Sequence, residues 1–187
     1  MGEPYAGIGS RETPPAVIEL IESIGVAMAE RGCVLRTGAS PGADQAFFRG
    51  AIAGCGRVEL YLPWPDFEAG SWSGAESDRV EVHPRPSPAA CAVSADVHPS
   101  WSSLGEPERL LLARDAHQAL GADLHTPARL VVCWTADGSA GGWGATADGT
   151  HHALRIAERH GVPVFNLARP DRAAAIGAMI ARTDRDG

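Results

Sequence analysis

The chain has 187 residues, 44% hydrophobic and 21% charged, with a formal net charge of −7. That is enough apolar sequence for one globular domain with a core, and the acidic balance counts against a broad DNA-binding surface, whose affinity comes from Lys and Arg neutralising phosphates. Cys33, Cys55, Cys91 and Cys133 show no CxxC pair and no zinc spacing, Cys33 and Cys133 read as buried thiols, and no apolar run is long enough to span a membrane.

In chain order, Tyr5 to Gly9 (YAGIG) reads as a short strand closed by Ser10-Arg11. Thr13-Pro14-Pro15 has the form of a helix start, a hydroxyl cap followed by proline in the first turn. Val17, Leu20, Ile21, Ile24 and Met28 then recur at helical spacing up to Arg31-Gly32. Cys33 to Arg36 is a second strand, and TGAS a turn. Ser40-Pro41 repeats the cap-plus-proline pattern before a helix that carries Ala43, Phe47, Ala51 and Ile52 on one face. Val58 to Leu62 is a third strand.

Residues 63–105, rich in Pro, Ser, Trp and Gly, read as an irregular insertion or long loop within a single domain spanning 1–187. His83 and His98 fall there as loop residues. Glu106 to Leu120 is helical. Leu130 to Trp134 (LVVCW) is apolar throughout, as a strand covered on both faces should be. A glycine-rich loop leads into the helix HHALRIAERHG, Val162 to Phe165 is the last strand, and 171–182 a terminal helix. Strand and helix alternating with short connections predict an α/β, Rossmann-like fold, a mostly parallel sheet with helices on both faces. Ligands of such sheets bind at the carboxyl ends of the strands.

Three loops leave those ends: Gly7 to Arg11, Thr37 to Asp44 and Gly141 to Thr150. Each combines glycine with hydroxyls ahead of a helix, where free N–H groups and a partial positive charge favour phosphate. Arg11 can offer a bidentate contact to phosphate, and Asp44 can accept ribose hydroxyls. The ligand-binding set predicted on these grounds is Gly9, Ser10, Arg11, Thr37, Gly38, Ala39, Ser40, Gly42, Asp44, Trp134, Gly149, Thr150 and His151. Adjacent histidines on a helix point in different directions, so His151 and His152 make a poor metal pair, and neither a metal nor a resident cofactor is implied. Trp64, Trp72, Trp101 and Trp143 fold their loops onto the sheet or, for Trp64 and Trp143 above all, stack on a nucleobase. GxxxxGK[ST] is absent, and GIGSRE lacks the third glycine of GxGxxG. ATP hydrolysis and standard NAD binding are therefore not indicated.

The stretches GIGSR, TGASPGADQAF, LLLARDAHQALG ahead of LVVCW, and DGTHHALRIAERHGVPVFNL together resemble the SLOG superfamily. That superfamily includes the DNA-processing protein A group and the Lonely Guy phosphoribohydrolases. TGASPGAD is similar to the SGxAxGxD loop of the former. LARD resembles that group's Arg-Asn segment with Asp115 in place of asparagine, which adds Arg114 to the predicted binding residues. In the Lonely Guy motif PGGxGTxxE, Gly149-Thr150 takes the GT position and Ala153 the glutamate position.

The resemblance implies a cytoplasmic Rossmann-like protein, at least dimeric as its relatives commonly are, that binds nucleotide phosphate or single-stranded DNA phosphate at these loops. The reading ranked first is a domain that binds a nucleotide or nucleotide-derived small molecule. A nucleotide N-glycosidase is the first alternative, with Asp44 and Asp148 as candidate catalytic carboxylates and Asp115 as a further one. A single-stranded DNA mediator is the second, and it would need Arg11, Arg36, Arg49, Arg79, Arg85 and Arg114 to gather in one groove.

Overall fold

A computed structural model describes residues 2–74, 78–141 and 149–182. Six parallel strands run through it: β1 (Pro4–Gly9), β2 (Val34–Thr37), β3 (Arg57–Tyr61), β4 (Val80–His83), β5 (Val131–Trp134) and β6 (Val164–Asn166). They form one sheet in the order β4-β3-β2-β1-β5-β6. The helices are α1 (Pro15–Glu30), α2 (Ala43–Ala53), α3 (Pro88–Val97), α4 (Glu106–Leu120), α5 (Gly149–Arg159) and α6 (Pro170–Arg182). The predicted α/β, Rossmann-like architecture is thus observed.

Alternation along each strand divides the core in two. Tyr5, Leu35, Val58 and Leu60 meet Ile21, Ile24, Met28, Phe47 and Ile176, from α1, α2 and α6, on one face. Ala6, Ile8, Val131 and Cys133 meet Ala153, Leu154 and Ala157 of α5 on the other, where α3 and α4 complete the layer through Ala90, Ala113 and Ala116 packed with Ile156 of α5. Strand order reverses between β1 and β5, so the crevice at their carboxyl ends is where a ligand of this fold is expected.

Residues 63–105 differ from their reading as an irregular stretch. They hold β4, α3 and two 3-10 turns at Ala69–Ser71 and Trp101–Ser103. The start of α3 carries the hydroxyl-plus-proline pattern used elsewhere in the chain: Ser87 Oγ accepts from the Ala90 N–H at 3.2 Å, with Pro88 in the first turn. His83 ends β4, and His98 caps α3.

Two other expected caps fail. Thr13 is not the cap of α1, since its hydroxyl donates to Ser10 O at 2.6 Å. Nor is Ser40 the cap of α2. That position belongs to Gly42, whose φ of 88° is one that only glycine adopts readily and where a Cβ would stand 2.5 Å from Ser10 O. The last strand begins at Val164, two residues later than expected, because Pro163 has no N–H for the ladder and only its carbonyl bonds, to Val131 N–H at 2.8 Å.

Candidate functional site

At the crevice, the loop after β1, the loop after β2, the middle of α4 and the first turn of α5 enclose a cleft of about 460 Å³. Its lining is Gly9, Ser10, Arg11, Glu12, Ser40, Leu111, Arg114, Asp115, Gly149 and Thr150. Four separate sequence segments therefore meet here, three of them beyond strand ends and the fourth from the middle of α4. Arg11 is exposed on the rim, and no ion pair holds it among the described residues.

The wall behind the cleft is a buried charge cluster. Asp44, in the first turn of α2, is 2% exposed. Its Oδ1 accepts the Gly9 N–H at 3.2 Å, and the Ser40 N–H also bonds its carboxylate. Arg114 reaches across from α4. Its Nη2 donates to Ser40 Oγ at 2.8 Å and lies 3.5 Å from Asp44 Oδ2, while its Nε lies 3.7 Å from Asp115 Oδ1. At those separations the guanidinium pairs with both carboxylates by charge and hydrogen-bonds neither. Its plane also rests 5.5 Å from the Phe67 ring centroid.

Asp115 is held on its other side by His152 Nδ1 at 3.1 Å. With the Gln118 amide oriented to satisfy both neighbours, it donates to Asp115 Oδ1 at 3.1 Å and accepts from the Gly38 N–H at 2.6 Å. Burial pushes the Asp44 carboxyl up to about 6, and the Asp115 charge adds to the rise. Arg114 and the two backbone N–H bonds oppose it.

The loop TGASPGAD thus turns several of its amides inward. Gly38 N–H goes to Gln118, Ser40 N–H to Asp44 and Ala43 N–H to Ser10 O. Thr37 is fully buried, its hydroxyl donating to Gly7 O at 2.6 Å. Within this wall the carboxylate of Asp44 accepts from the Gly9 and Ser40 N–H groups. That placement buries the carboxylate and keeps it off the cleft lining.

Of the residues picked on sequence, Gly9, Ser10, Arg11, Ser40, Arg114, Gly149 and Thr150 line the cleft, while Thr37, Gly38, Gly42 and Asp44 build its wall. Ala39 and Trp134 pack in the core instead, and only the carbonyl of Trp134 reaches the loop, accepting the Ser10 N–H at 3.2 Å. His151 turns aside, its Nε2 3.0 Å from Asp137. Burial works against the ionised form of Asp137, yet hydrogen bonds from Ser139, Thr135 and His151 together hold it below the usual carboxylate range. Asp148 and Trp143 lie outside the described residues.

Trp64 packs edge-on to Phe67 at 5.1 Å, and buried Trp72 donates to Phe67 O at 2.9 Å. Both fold their loop down. The six arginines form no common groove. Arg36 pairs with Glu59, Arg49 with Glu22, Arg85 with Glu106 and Arg114 with its two aspartates, and Arg79 has a partner as well.

Sequence reading passed over Glu12, Leu111 and the Gln118 bridge. Leu111, Arg114, Asp115 and Gln118 are spaced three and four apart on α4, so the helical period alone places them on one face.

No protein-family model matches the chain, and no curated protein matches it. Solved structures do. DNA processing protein A from Helicobacter pylori, described for its single-stranded DNA binding mode, has a TM-score of 0.57 at 16% identity over 88% of this chain. The chain spans 64% of the length of that structure. The Moco carrier protein of Chlamydomonas rheinhardtii has a TM-score of 0.52 at 16% identity, covering 97% of this chain and 86% of that one. Both are likenesses of fold, and they agree with the Rossmann-like fold that the SLOG resemblance implies. No helix among the described residues is long and apolar enough to cross a membrane.

Proposed function

We propose that the chain binds a phosphate-bearing nucleotide or nucleotide-derived molecule in this cleft and holds it without turning it over. The observation that carries the reading is the convergence, at the reversal point of the strand order, of two glycine-turned loops and a helix N-terminus on one cleft with a free cation, Arg11, on its rim. In this reading Arg11, Ser10 and the first turn of α5 at Gly149-Thr150 receive the phosphate, and Ser40 takes a sugar hydroxyl.

Holding is favoured over hydrolysis by the state of the carboxylates among the described residues. Asp44 is buried and engaged, Asp115 is held by His152 and Gln118, and Ala153, at the Lonely Guy glutamate position, is buried in the core. A neighbour of this fold is itself named as a cofactor carrier. The likeness to a single-stranded DNA-binding protein keeps an oligonucleotide as the second reading. Of the six arginines all but Arg11 are already engaged, which favours a small ligand over a long polyanion.

The test is a thermal-shift panel of nucleoside mono-, di- and triphosphates, ADP-ribose and short oligodeoxynucleotides. A ligand at a hundred times its dissociation constant adds about 2.7 kcal/mol of stability. A shift with a small nucleotide supports the proposal. A shift with oligodeoxynucleotides alone replaces it by the second reading, and base release from a bound nucleotide replaces holding by catalysis.

A further inference from the structure

The wall of the cleft holds an unequal set of charges. Asp44 from α2 and Asp115 from α4 flank one guanidinium, Arg114, at 3.5 and 3.7 Å, and side chains of all three are at most 7% exposed. From α5, His152 bonds Asp115, and the His98 ring at the end of α3 lies 5.9 Å from His152. From the loop after β1, Arg11 and Glu12 stand on the rim. Two buried carboxylates thus share one guanidinium.

Resting on the proposed function above, we propose that anion binding in the cleft is coupled to proton uptake by the buried Asp44–Arg114–Asp115 cluster, with Asp44 as the group that takes the proton. An anion arriving at Ser10, Arg11 and Ser40 adds negative charge beside a wall where two carboxylates already share one guanidinium. Neutralising one carboxylate removes that repulsion and leaves Arg114 shared between Asp115 and the ligand.

Asp44 is the carboxylate placed to do so. Asp115 has His152 and Gln118 as direct partners, whereas Asp44 has two backbone N–H groups and a guanidinium at ion-pair distance only. Burial already moves Asp44 toward the physiological range, so a modest further push from a bound anion suffices. Linkage makes the effect reciprocal: acid tightens anion binding, and anion binding draws a proton onto the protein.

Sulfate is the probe, because its own charge does not change over the range used. Calorimetric titration of the full chain should give affinity about tenfold tighter near pH 5 than near pH 8, the effect of a one-unit shift of a single group. Asp44→Asn should bind tightly at both values and lose the dependence. The same titration in two buffers of different ionisation enthalpy should show net proton uptake for wild type only. Should Asp44→Asn fail to fold, carbon NMR of the Asp44 carboxyl in the wild-type chain replaces it, with the midpoint expected to rise when sulfate is added.

Sulfate affinity that is equal at both pH values, an unchanged slope in Asp44→Asn, or a midpoint that sulfate does not move each overturns the coupling while leaving the binding site in place. Absence of sulfate binding at either pH overturns the coupling and the phosphate reading of the cleft together.

Discussion

The guanidinium of Arg114 fills the space that a side chain at Gly38 would need: a Cβ there would overlap Nη1 and stand 2.7 Å from Asp44 Oδ2. Gly38, the first glycine of TGASPGAD, is therefore a seat for the guanidinium that reaches over from α4 to pair with Asp44. In Gly38→Ala either the pair or the loop must shift, and overpacking of this kind costs about 1–3 kcal/mol. The expected result is a lowered urea midpoint together with weakened sulfate binding. A variant of wild-type stability would show that Arg114 does not occupy that space in solution.

Arg11 offers the contrasting case, since it is exposed and unpaired among the described residues. Arg11→Ala should change stability by less than about 0.5 kcal/mol. A charge-assisted contact to phosphate contributes about 1.5–3 kcal/mol, so nucleotide affinity should fall roughly ten- to hundredfold. Titration of both proteins with the ligand found in the thermal panel decides it, and equal affinities would remove Arg11 from the site.

Asp44 also makes stability depend on pH without any ligand. Its folded-state value, about 6, lies above the ordinary aspartate value of 3.8, so the folded chain binds the proton more tightly than the unfolded chain does. Its contribution to stability is fullest at low pH and is lost as pH rises between those two values. Between about pH 5 and pH 7.5 the loss is about 1 kcal/mol. Urea unfolding of wild type and Asp44→Asn at both pH values should show the variant gaining on wild type by that amount. A gap that stays constant would place the Asp44 titration elsewhere.

Tyr5 presents a buried hydroxyl, 2% exposed, with no hydrogen-bond partner among the described residues. Burial pushes it far above the ordinary tyrosine range, and the nearby Cys33 adds to the rise. Leaving such a group unpaired costs about 1–3 kcal/mol, so Tyr5→Phe, which keeps the ring against Phe47, should raise stability by about 1 kcal/mol. A loss of stability on thermal unfolding would mean that the hydroxyl has a partner after all.

Much of the fold was legible because its signals are local. A run such as LVVCW is apolar on both sides because β5 is covered on both faces, and Ile21, Ile24 and Met28 keep helical period whatever they pack on. Residues 63–105 were harder. Val80–His83 is a short edge strand of mixed polarity, and the alanine-rich α3 has a weak apolar period, so neither stands out from the prolines around it.

The site was legible in part. That three loops would meet at one sheet edge follows from strand-helix alternation alone, and the cleft lined by Gly9, Ser40 and Gly149 is where they meet. Trp134 misled because a strand's last residue can point to either face, and here its side chain goes to the layer of α1 and α6.

The sequence by itself determined the order of the elements, the parallel sheet and the edge at which a ligand would sit, since periodicity, glycine turns and proline starts act over a few residues. Only the tertiary structure decided what the loop TGASPGAD faces. Gly9 and Arg114 lie far from Asp44 along the chain, and the N–H of the one and the charge of the other reach it only because β1, the β2 loop and α4 converge around it. A backbone amide has one hydrogen to give. Whether it goes to a buried carboxylate or to an incoming phosphate is settled by which reaches it first in space, and distance along the chain says nothing about that.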